Sequence, residues 1–250
     1  MPGAVVLAGS PNNGLLKGCS SAPYEALIPI GSKYMVEYVV DALLASPRIE
    51  EVVVVGPVAP LAQVFSSARV RVVLPGESVL ENVQKGLAAL AGSGRVLVAA
   101  ADIPLLTRAA VEDFLYRCRD ETVDLYYPVV DQRVIQNRYA GVKRTYVTFR
   151  EGTFTGGNIF FVNPRIFPSC VPKGERLVEA RKNPFLLSRL LGLSFFFKFL
   201  TGRLSLREVE EKVSRLLGIK GAAVISSYPE VGVDVDKPVD LELASQILTA

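Results

Sequence analysis

Val96-Leu-Val-Ala-Ala-Ala-Asp-Ile-Pro104 decides the fold. Val96–Ala100 is a short, uncharged, β-branched run, the signature of a strand buried on both faces. Ala99, Ala100 and Ala101 then bring the backbone close to whatever occupies the strand's C-terminal edge. Asp102 follows immediately, and Pro104 closes the turn. In open α/β sheets ligands bind in the crevice beyond the carboxyl ends of the strands, so Asp102 is a candidate ligand to a hard cation such as Mg²⁺. A turn or capping role for an Asp ahead of a Pro is the plain alternative.

Upstream, strand-like and helix-like segments alternate. Ala4–Leu7 reads as a strand, Lys33–Leu44 as a helix with Met35, Val36, Val39, Val40 and Leu43 on one face, and Glu51–Val55 as a second buried strand. Leu61–Ser66 is a short helix and Val70–Leu74 a third strand. Ser78-Val-Leu-Glu81 has the spacing of a capping box, with Ser78 accepting from the Glu81 amide and Glu81 reaching back. Thr107 caps a helix over Ala109–Cys118. This order indicates a parallel sheet covered by helices on both sides. Beyond it, Leu125–Val130, Arg144–Phe149, Gly157–Val162 and Ala222–Ile225 read as strands, some antiparallel, and Val239–Leu248 as a last helix opened by Pro238. Lys173–Gly218 turns helical, with Ser205-Leu-Arg-Glu208 as a second capping box. Residues 1–250 are expected to form one domain, with 173–218 as a helical insertion near the C-terminus.

Half of the 250 residues are hydrophobic, ample for one large core. Lys and Arg total 28 against 25 Asp and Glu, a net charge of +3. That balance suits a phosphorylated small molecule and argues against a nucleic-acid partner. The three cysteines form no CxxC pair or disulfide framework, which points to a reducing, cytoplasmic setting. The opening residues read as a strand and not as a signal peptide. No run approaches the roughly 18 apolar residues of a membrane span. There is no histidine, so His-ligated zinc, Ser-His-Asp hydrolysis and His general-base chemistry are excluded.

Two further stretches can carry chemistry. Leu7-Ala8-Gly9-Ser10 runs from the first strand into a Gly-rich loop whose amides can hold phosphate oxygens or read a base edge. Its glycines, Gly9, Gly14 and Gly18, fit neither a dinucleotide fingerprint nor a P-loop. An ordinary strand-to-loop turn is the plain alternative. In Gly232-Val-Asp234-Val-Asp236-Lys-Pro-Val-Asp240, an extended Val231–Val235 puts Asp234 and Asp236 on one face. They can complete a metal site with Asp102. Asp240, and on the plain reading Asp236, instead serve the start of the last helix.

Taken in order, these segments resemble the nucleotidyltransferases that include sugar-1-phosphate nucleotidyltransferases and MobA-like guanylyltransferases. Leu7-Ala-Gly-Ser is similar to that family's Leu-Ala-Gly-Gly loop, and Glu25-Ala-Leu-Ile-Pro-Ile to its Lys-Ala-Leu-Leu-Pro-Ile. Asp102-Ile-Pro is similar to its metal-binding Asp-x-Pro, and Gly232–Leu241 to its closing segment. The resemblance implies a Rossmann-like, glycosyltransferase-A-type three-layer α/β sandwich with a mostly parallel sheet. It also implies Mg²⁺-dependent transfer of a nucleoside monophosphate from a nucleoside triphosphate to a small phosphorylated acceptor. It places the nucleotide on Leu7, Ala8, Gly9, Ser10, Gly76, Ser78, Asn82 and Ala101, the acceptor on Gly157 and Asn158, and the metal on Asp102, Asp234 and Asp236. An already ionised acceptor phosphate needs no general base, which agrees with the absence of histidine.

Two departures stand out. The loop's usual Arg is missing, and Glu25 stands where the family has a phosphate-contacting Lys. Either Lys17 or Lys33 supplies the charge, or catalysis is impaired and the protein only binds nucleotide. Glu25 itself can hold a second cation or a substrate hydroxyl. A nucleotide-sugar-dependent glycosyltransferase is a further alternative on the same fold. The Phe-rich segment Phe185–Leu200 has two readings: packing on the core or on a second subunit of a homodimer, or contact with a membrane surface or lipid-like acceptor.

Overall fold

The computed structural model describes residues 1–90, 92, 94–168, 170–171, 173–174 and 192–249. Strand β1 (Ala4–Leu7) lies between two parallel neighbours, β4 (Val52–Val55) and β6 (Val96–Ala100), and β5 (Val70–Val73) extends the sheet beyond β4. All four valines of β4 are buried. Their side chains alternate between two cores, Val52 and Val54 on one face and Val53 and Val55 on the other. The first core is filled by α1 (Met35–Ala45) and α4 (Arg108–Arg117), the second by α3 (Val79–Ala89). The result is three layers, as two-sided burial of an unbroken Val run requires.

Phe114 of α4 is 1% exposed, and truncating such a ring to Ala costs about 3–5 kcal/mol. Gly86 lets α3 lie against the sheet, because a Cβ there would collide with Val5. Two small pieces complete this half: α2 (Val58–Val64) packs on β5, and a hairpin of β2 (Pro29–Ile30) and β3 (Lys33–Tyr34) precedes α1. The predicted helix over Lys33–Leu44 therefore starts two residues late.

Past β6 the sheet becomes mixed. β7 (Leu125–Asp131) carries β11 (Gly221–Ser226) in parallel on one edge. Its other edge is shared by two antiparallel strands. β10 (Ile159–Val162) pairs with its first half and bridges to β6, while β9 (Gly152–Gly156) pairs with its second half and continues into β8 (Val147–Phe149). The predicted strand over Gly157–Val162 thus loses Gly157 and Asn158 to the crossing between β9 and β10. The strand expected over Arg144–Phe149 begins only at Val147, because Arg144 turns inward to acidic partners. A helix absent from the sequence reading, α5 (Gln132–Arg138), follows β7. It is capped by Asp131, whose side chain accepts from the Arg133 amide.

Within the Lys173–Gly218 block, α6 (Leu193–Leu200) and α7 (Leu206–Leu217) are helical. The capping box of α7 forms as its spacing predicts: Ser205 Oγ accepts from the Glu208 amide at 3.2 Å and Glu208 accepts from the Ser205 amide at 2.9 Å. α7 packs on β11. Residues 185–191 of the Phe-rich segment lie outside the described residues. Within α6, Phe197 and Leu200 are each 62% exposed, so those two side chains do not enter the core. Among the described residues no helix is long and apolar enough to cross a membrane. The last helix, α8 (Pro238–Leu248), follows a single turn at Pro229–Gly232. That turn, opened by Pro229, replaces the first part of the extended segment expected over Val231–Val235.

Candidate active site

The C-terminal ends of β1 and β6 lie side by side, joined where the Ala101 amide donates to the Leu7 carbonyl at 3.2 Å. One residue on, the Asp102 carbonyl accepts from the Val235 amide at 2.8 Å. Val233 and Val235 are buried in the core at 2% and 1% exposure, which turns the intervening Asp234 and the next residue, Asp236, toward Asp102. One carboxylate oxygen from each of the three residues lies within 4.8 Å of the others. Oxygens around one Mg²⁺ sit at most about 4.2 Å apart, a small side-chain movement away.

The electrostatics of the cluster ask for a cation. Asp102 Oδ1 is shielded from solvent and has no hydrogen-bond partner. Burial, then the charges of Asp234 and Asp236, push the Asp102 carboxyl up to about 7. Asp236 is pushed up to about 6, by burial first and then by Asp234. A buried carboxylate without partners is costly unless it is protonated or coordinates a metal. These residues therefore fit a divalent ion through their geometry and through the orphaned oxygen.

Arg144 was not legible as a site residue. Its side chain is 7% exposed and pairs with Asp234 at 3.2 Å and Asp240 at 3.6 Å. Its Nη2 also donates to the Asp234 carbonyl. Asp240 accepts from the amides of Asp236 and Lys237 at 3.3 and 3.1 Å. Asp240 thus serves the first turn of α8, as expected, and anchors Arg144 as well. Arg144 and Asp240 together clamp the strip that carries Asp234 and Asp236. No local pattern marks Arg144, since its partners lie 90 and 96 positions away along the chain.

Beside the cluster, Leu7, Ala8, Ser10 and Ala101 join Glu25 and Asp102 around a narrow cavity of about 10 Å³, room for one water. The loop after β1 is folded on itself: Asn12 Nδ2 donates to the carbonyls of Ser20 and Ala22, each at 3.0 Å. Gly9 lies against the next loop, where an added Cβ would sit 3.1 Å from Pro75 and 3.4 Å from Asn82 Nδ2. Asn82 Oδ1 in turn accepts from the Gly76 amide at 2.5 Å. Ser78 Oγ caps α3 by accepting from the Glu81 amide at 3.1 Å. Glu81 does not reach back to Ser78; it accepts from the Glu77 amide at 2.8 Å and pairs with Lys85 at 3.1 Å. The carboxylate oxygen that would close the box is taken by the Glu77 amide, one residue earlier.

The candidate cations do not converge on the cluster. Lys17 is exposed in the turn Leu15–Gly18. Lys33 pairs with Asp41 at 2.6 Å and lies 5.6 Å from the Tyr38 ring centre. Neither lines the cavity with Asp102 or the cleft described next. Glu25 does line that cavity. Burial raises its carboxyl above the usual range, and its charge adds to the upward push on Asp102 and Asp236.

On the other side of Asp234 and Asp236 opens a cleft of about 440 Å³. Gly157 and Asn158, the predicted acceptor residues, form its floor at the β9–β10 crossing. The Gly157 amide donates to Pro128 at 2.8 Å and the Asn158 amide to Val231 at 2.9 Å, while the Asn158 carbonyl accepts from Ala100 at 3.0 Å. A Cβ on Gly157 would sit 2.7 Å from Pro128 and 2.8 Å from Val231, so only glycine lets the crossing pack this tightly.

The fold is that of the nucleotidyltransferases, a mixed α/β sheet of the glycosyltransferase-A type. Residues 4–191 match the MobA-like NTP transferase domain, and the chain belongs to that family of nucleotidyltransferases. A hypothetical transferase from Thermus thermophilus is 38% identical with a TM-score of 0.85, over 96% of this chain and 99% of that one. Two more distant structures share the fold. A CMP:2-keto-3-deoxy-manno-octonic acid synthetase complexed with CTP is 13% identical with a TM-score of 0.63, over 99% and 98% of the two chains. A 2-C-methyl-D-erythritol 4-phosphate cytidylyltransferase, also from Thermus thermophilus, is 17% identical with a TM-score of 0.56, over the full length of both. No curated protein matches the chain.

Proposed function

We propose that this chain, acting as one catalytic unit, transfers the nucleotidyl group of a nucleoside triphosphate to a small phosphorylated acceptor in a Mg²⁺-dependent reaction. The observation that carries the reading is the meeting of Asp102, Asp234 and Asp236 beside the glycine loop, with a buried carboxylate oxygen left unpaired. That one neighbouring structure holds CTP and another is named a cytidylyltransferase supports a triphosphate as donor.

The chain's own residues divide the work. The loop Leu7–Ser10 and the loop around Gly76, tied together through Asn82, receive the nucleotide. Asp102, Asp234 and Asp236 hold Mg²⁺, which when bound supplies neutralisation of phosphate-oxygen charge. Arg144 fixes the position of Asp234. The floor at Gly157 and Asn158 presents the acceptor. Its phosphate oxygen attacks the α-phosphorus in line, the bond from that phosphorus to the bridging oxygen breaks, and pyrophosphate leaves with the electron pair. The acceptor oxygen is already ionised, so catalysis is positioning and electrostatics.

One observation favours a second reading, a nucleotide-binding protein without turnover. Glu25 adds a second carboxylate, beside that of Asp102, to the cavity next to the loop that would receive the triphosphate, and among the described residues neither Lys17 nor Lys33 lines it. A single experiment separates the two. The four nucleoside triphosphates are screened for pyrophosphate release against phosphorylated sugars and alcohols, with and without Mg²⁺, using Asp102→Asn as control. Metal-dependent release that the variant lacks supports transfer. Tight triphosphate binding without release over hours supports the second reading, and release by the variant at wild-type rate sinks the metal assignment.

A further inference from the structure

The cleft beyond Asp234 has a composition that restricts what it can accept. Three cations border it, Lys143, Arg144 and Lys237. Arg144 is committed to Asp234 and Asp240. The side-chain ammonium groups of Lys143 and Lys237 make no ion pair among the described residues, and both residues are exposed. The hydroxyl-bearing residues Tyr127, Thr145 and Thr155 also line the cleft. Its one aromatic ring among the described residues, Tyr127, is stacked on Phe160 with centroids 5.3 Å apart. Among the described residues no Leu, Ile, Val, Met or Phe side chain lines it.

We infer that Lys143 and Lys237 bind the phosphate of a small hydroxylated acceptor, such as a sugar or polyol phosphate, and that the cleft does not take an aromatic heterocycle or a lipid. This rests on the transfer reading above for the identity of the site as an acceptor site. The physical case has three parts. Two ammonium groups without an ion-pair partner among the described residues, beside an open polar cleft, are point charges suited to a phosphate dianion. The threonine hydroxyls on the remaining walls, Thr145 and Thr155, match ring or chain hydroxyls, which each need a partner once desolvated. A heterocycle would need stacking surfaces, and an acyl chain would need apolar walls, to replace the water they lose; the lining supplies neither. The cleft's volume, about 440 Å³, is at the small end of ligand pockets, which run from roughly 300 to 1,000 Å³.

The test begins without nucleotide, so that its outcome is independent of turnover. Glycerol 3-phosphate, ribose 5-phosphate and glucose 1-phosphate are titrated calorimetrically into the full chain with Mg²⁺, then into K143A, K237A and K143A/K237A. Riboflavin 5′-phosphate and a short-chain phosphatidic acid serve as the aromatic and lipid arms. At least one sugar or polyol phosphate is expected to bind, each single variant to weaken it by about tenfold, and the double variant to abolish it. K143R/K237R is expected to retain binding, and the melting temperatures of all variants to stay near that of the wild-type chain. Failure of all three phosphates to bind, equal binding by the double variant, or preference for the aromatic or lipid arm overturns the assignment. Binding that follows the lysines, without pyrophosphate release in any mixture, would leave the cleft standing and remove the transfer reading. Where turnover is found, the lysine variants are expected to raise the acceptor KM and leave the triphosphate KM unchanged.

Discussion

The amide of Val235 donates to the carbonyl of Asp102 at 2.8 Å. Through that one backbone bond two segments 133 positions apart share a site, the end of the central strand β6 and the strip that leads into α8. Buried Val233 and Val235 fix which way the strip faces, so the carboxylates of Asp234 and Asp236 have no choice but to meet that of Asp102. Three negative groups, two of them half-buried and Asp236 at the exposed side, repel one another, and a proton or a cation relieves this.

The first prediction follows from that repulsion. The folded carboxyls of Asp102 and Asp236 are held at about 7 and about 6, above the roughly 4 expected in the unfolded chain. A raised carboxyl binds its proton more tightly when folded. Its stabilising contribution is full below about pH 4 and is lost as pH rises toward 7. In metal-free buffer the melting temperature should fall across that window. Added Mg²⁺ should restore it, more at pH 8 than at pH 5, since ligation requires the ionised form. Asp102→Asn should flatten the pH slope and lose most of the Mg²⁺ response. Thermal melts in chelator and in Mg²⁺ measure both, and an unchanged Mg²⁺ response in the variant would remove Asp102 from the metal site.

Arg144 yields a second prediction. Breaking a buried ion pair from one side typically costs 3–5 kcal/mol. Asp240 keeps two backbone amides and Asp234 is partly solvated at 23% exposure, so Arg144→Met should cost the lower end, about 3 kcal/mol. For a chain of this size that is a loss of roughly 6–12 °C in melting temperature. Adding Asp240→Asn, which keeps an acceptor oxygen for the two amides, should recover part of the loss. A double-mutant cycle showing simple additivity would mean that Arg144 does not act through Asp240.

Much of the fold was legible because its signals are local. Ala4–Leu7 and Val96–Ala100 were read to the residue: each is an unbroken apolar run stopped by small residues and a turn. The Ser205 box was legible from its spacing. α5 was not, because Gln132–Arg138 offers only Ile135 as a fully buried side chain, and its cap, Asp131, belongs to the preceding strand. The same division runs through the site. Asp102, Asp234 and Asp236 each follow a strand-like pattern that can be read in place. The clamp by Arg144, the two cleft lysines and the pairing of Lys33 with Asp41 depend on contacts that no single segment announces. Local periodicity carries no information about such contacts.

A third prediction concerns the two loops proposed to receive the nucleotide. Asn82 Oδ1 takes the Gly76 amide while Asn82 Nδ2 lies against Gly9. Asn82→Ala removes the acceptor and leaves a half-buried amide to water, at a cost of about 1 kcal/mol in stability. The expected effect on turnover is a severalfold rise in the triphosphate KM with the acceptor KM unchanged. A rise in the acceptor KM instead would put the nucleotide on the wrong side of the cluster.

Glu25 gives the last prediction, and it bears on whether the chain turns over at all. Its carboxylate shares a water-sized cavity with Asp102, among the described residues no Lys or Arg lines that cavity, and burial already raises its carboxyl. A triphosphate entering beside Gly9 and Ser10 would meet this charge at short range, where the low local dielectric strengthens repulsion. Glu25→Gln keeps the shape and removes the charge. If Glu25 only repels, the variant should bind triphosphate more tightly, by about tenfold, a gain of about 1.4 kcal/mol, and the Asp102 carboxyl should ionise more readily. If Glu25 instead holds a second cation, the variant should bind triphosphate more weakly in Mg²⁺ and no differently in chelator. Calorimetric titration of each nucleotide in both buffers distinguishes these by sign, and weaker binding in Mg²⁺ alone would make Glu25 a metal ligand.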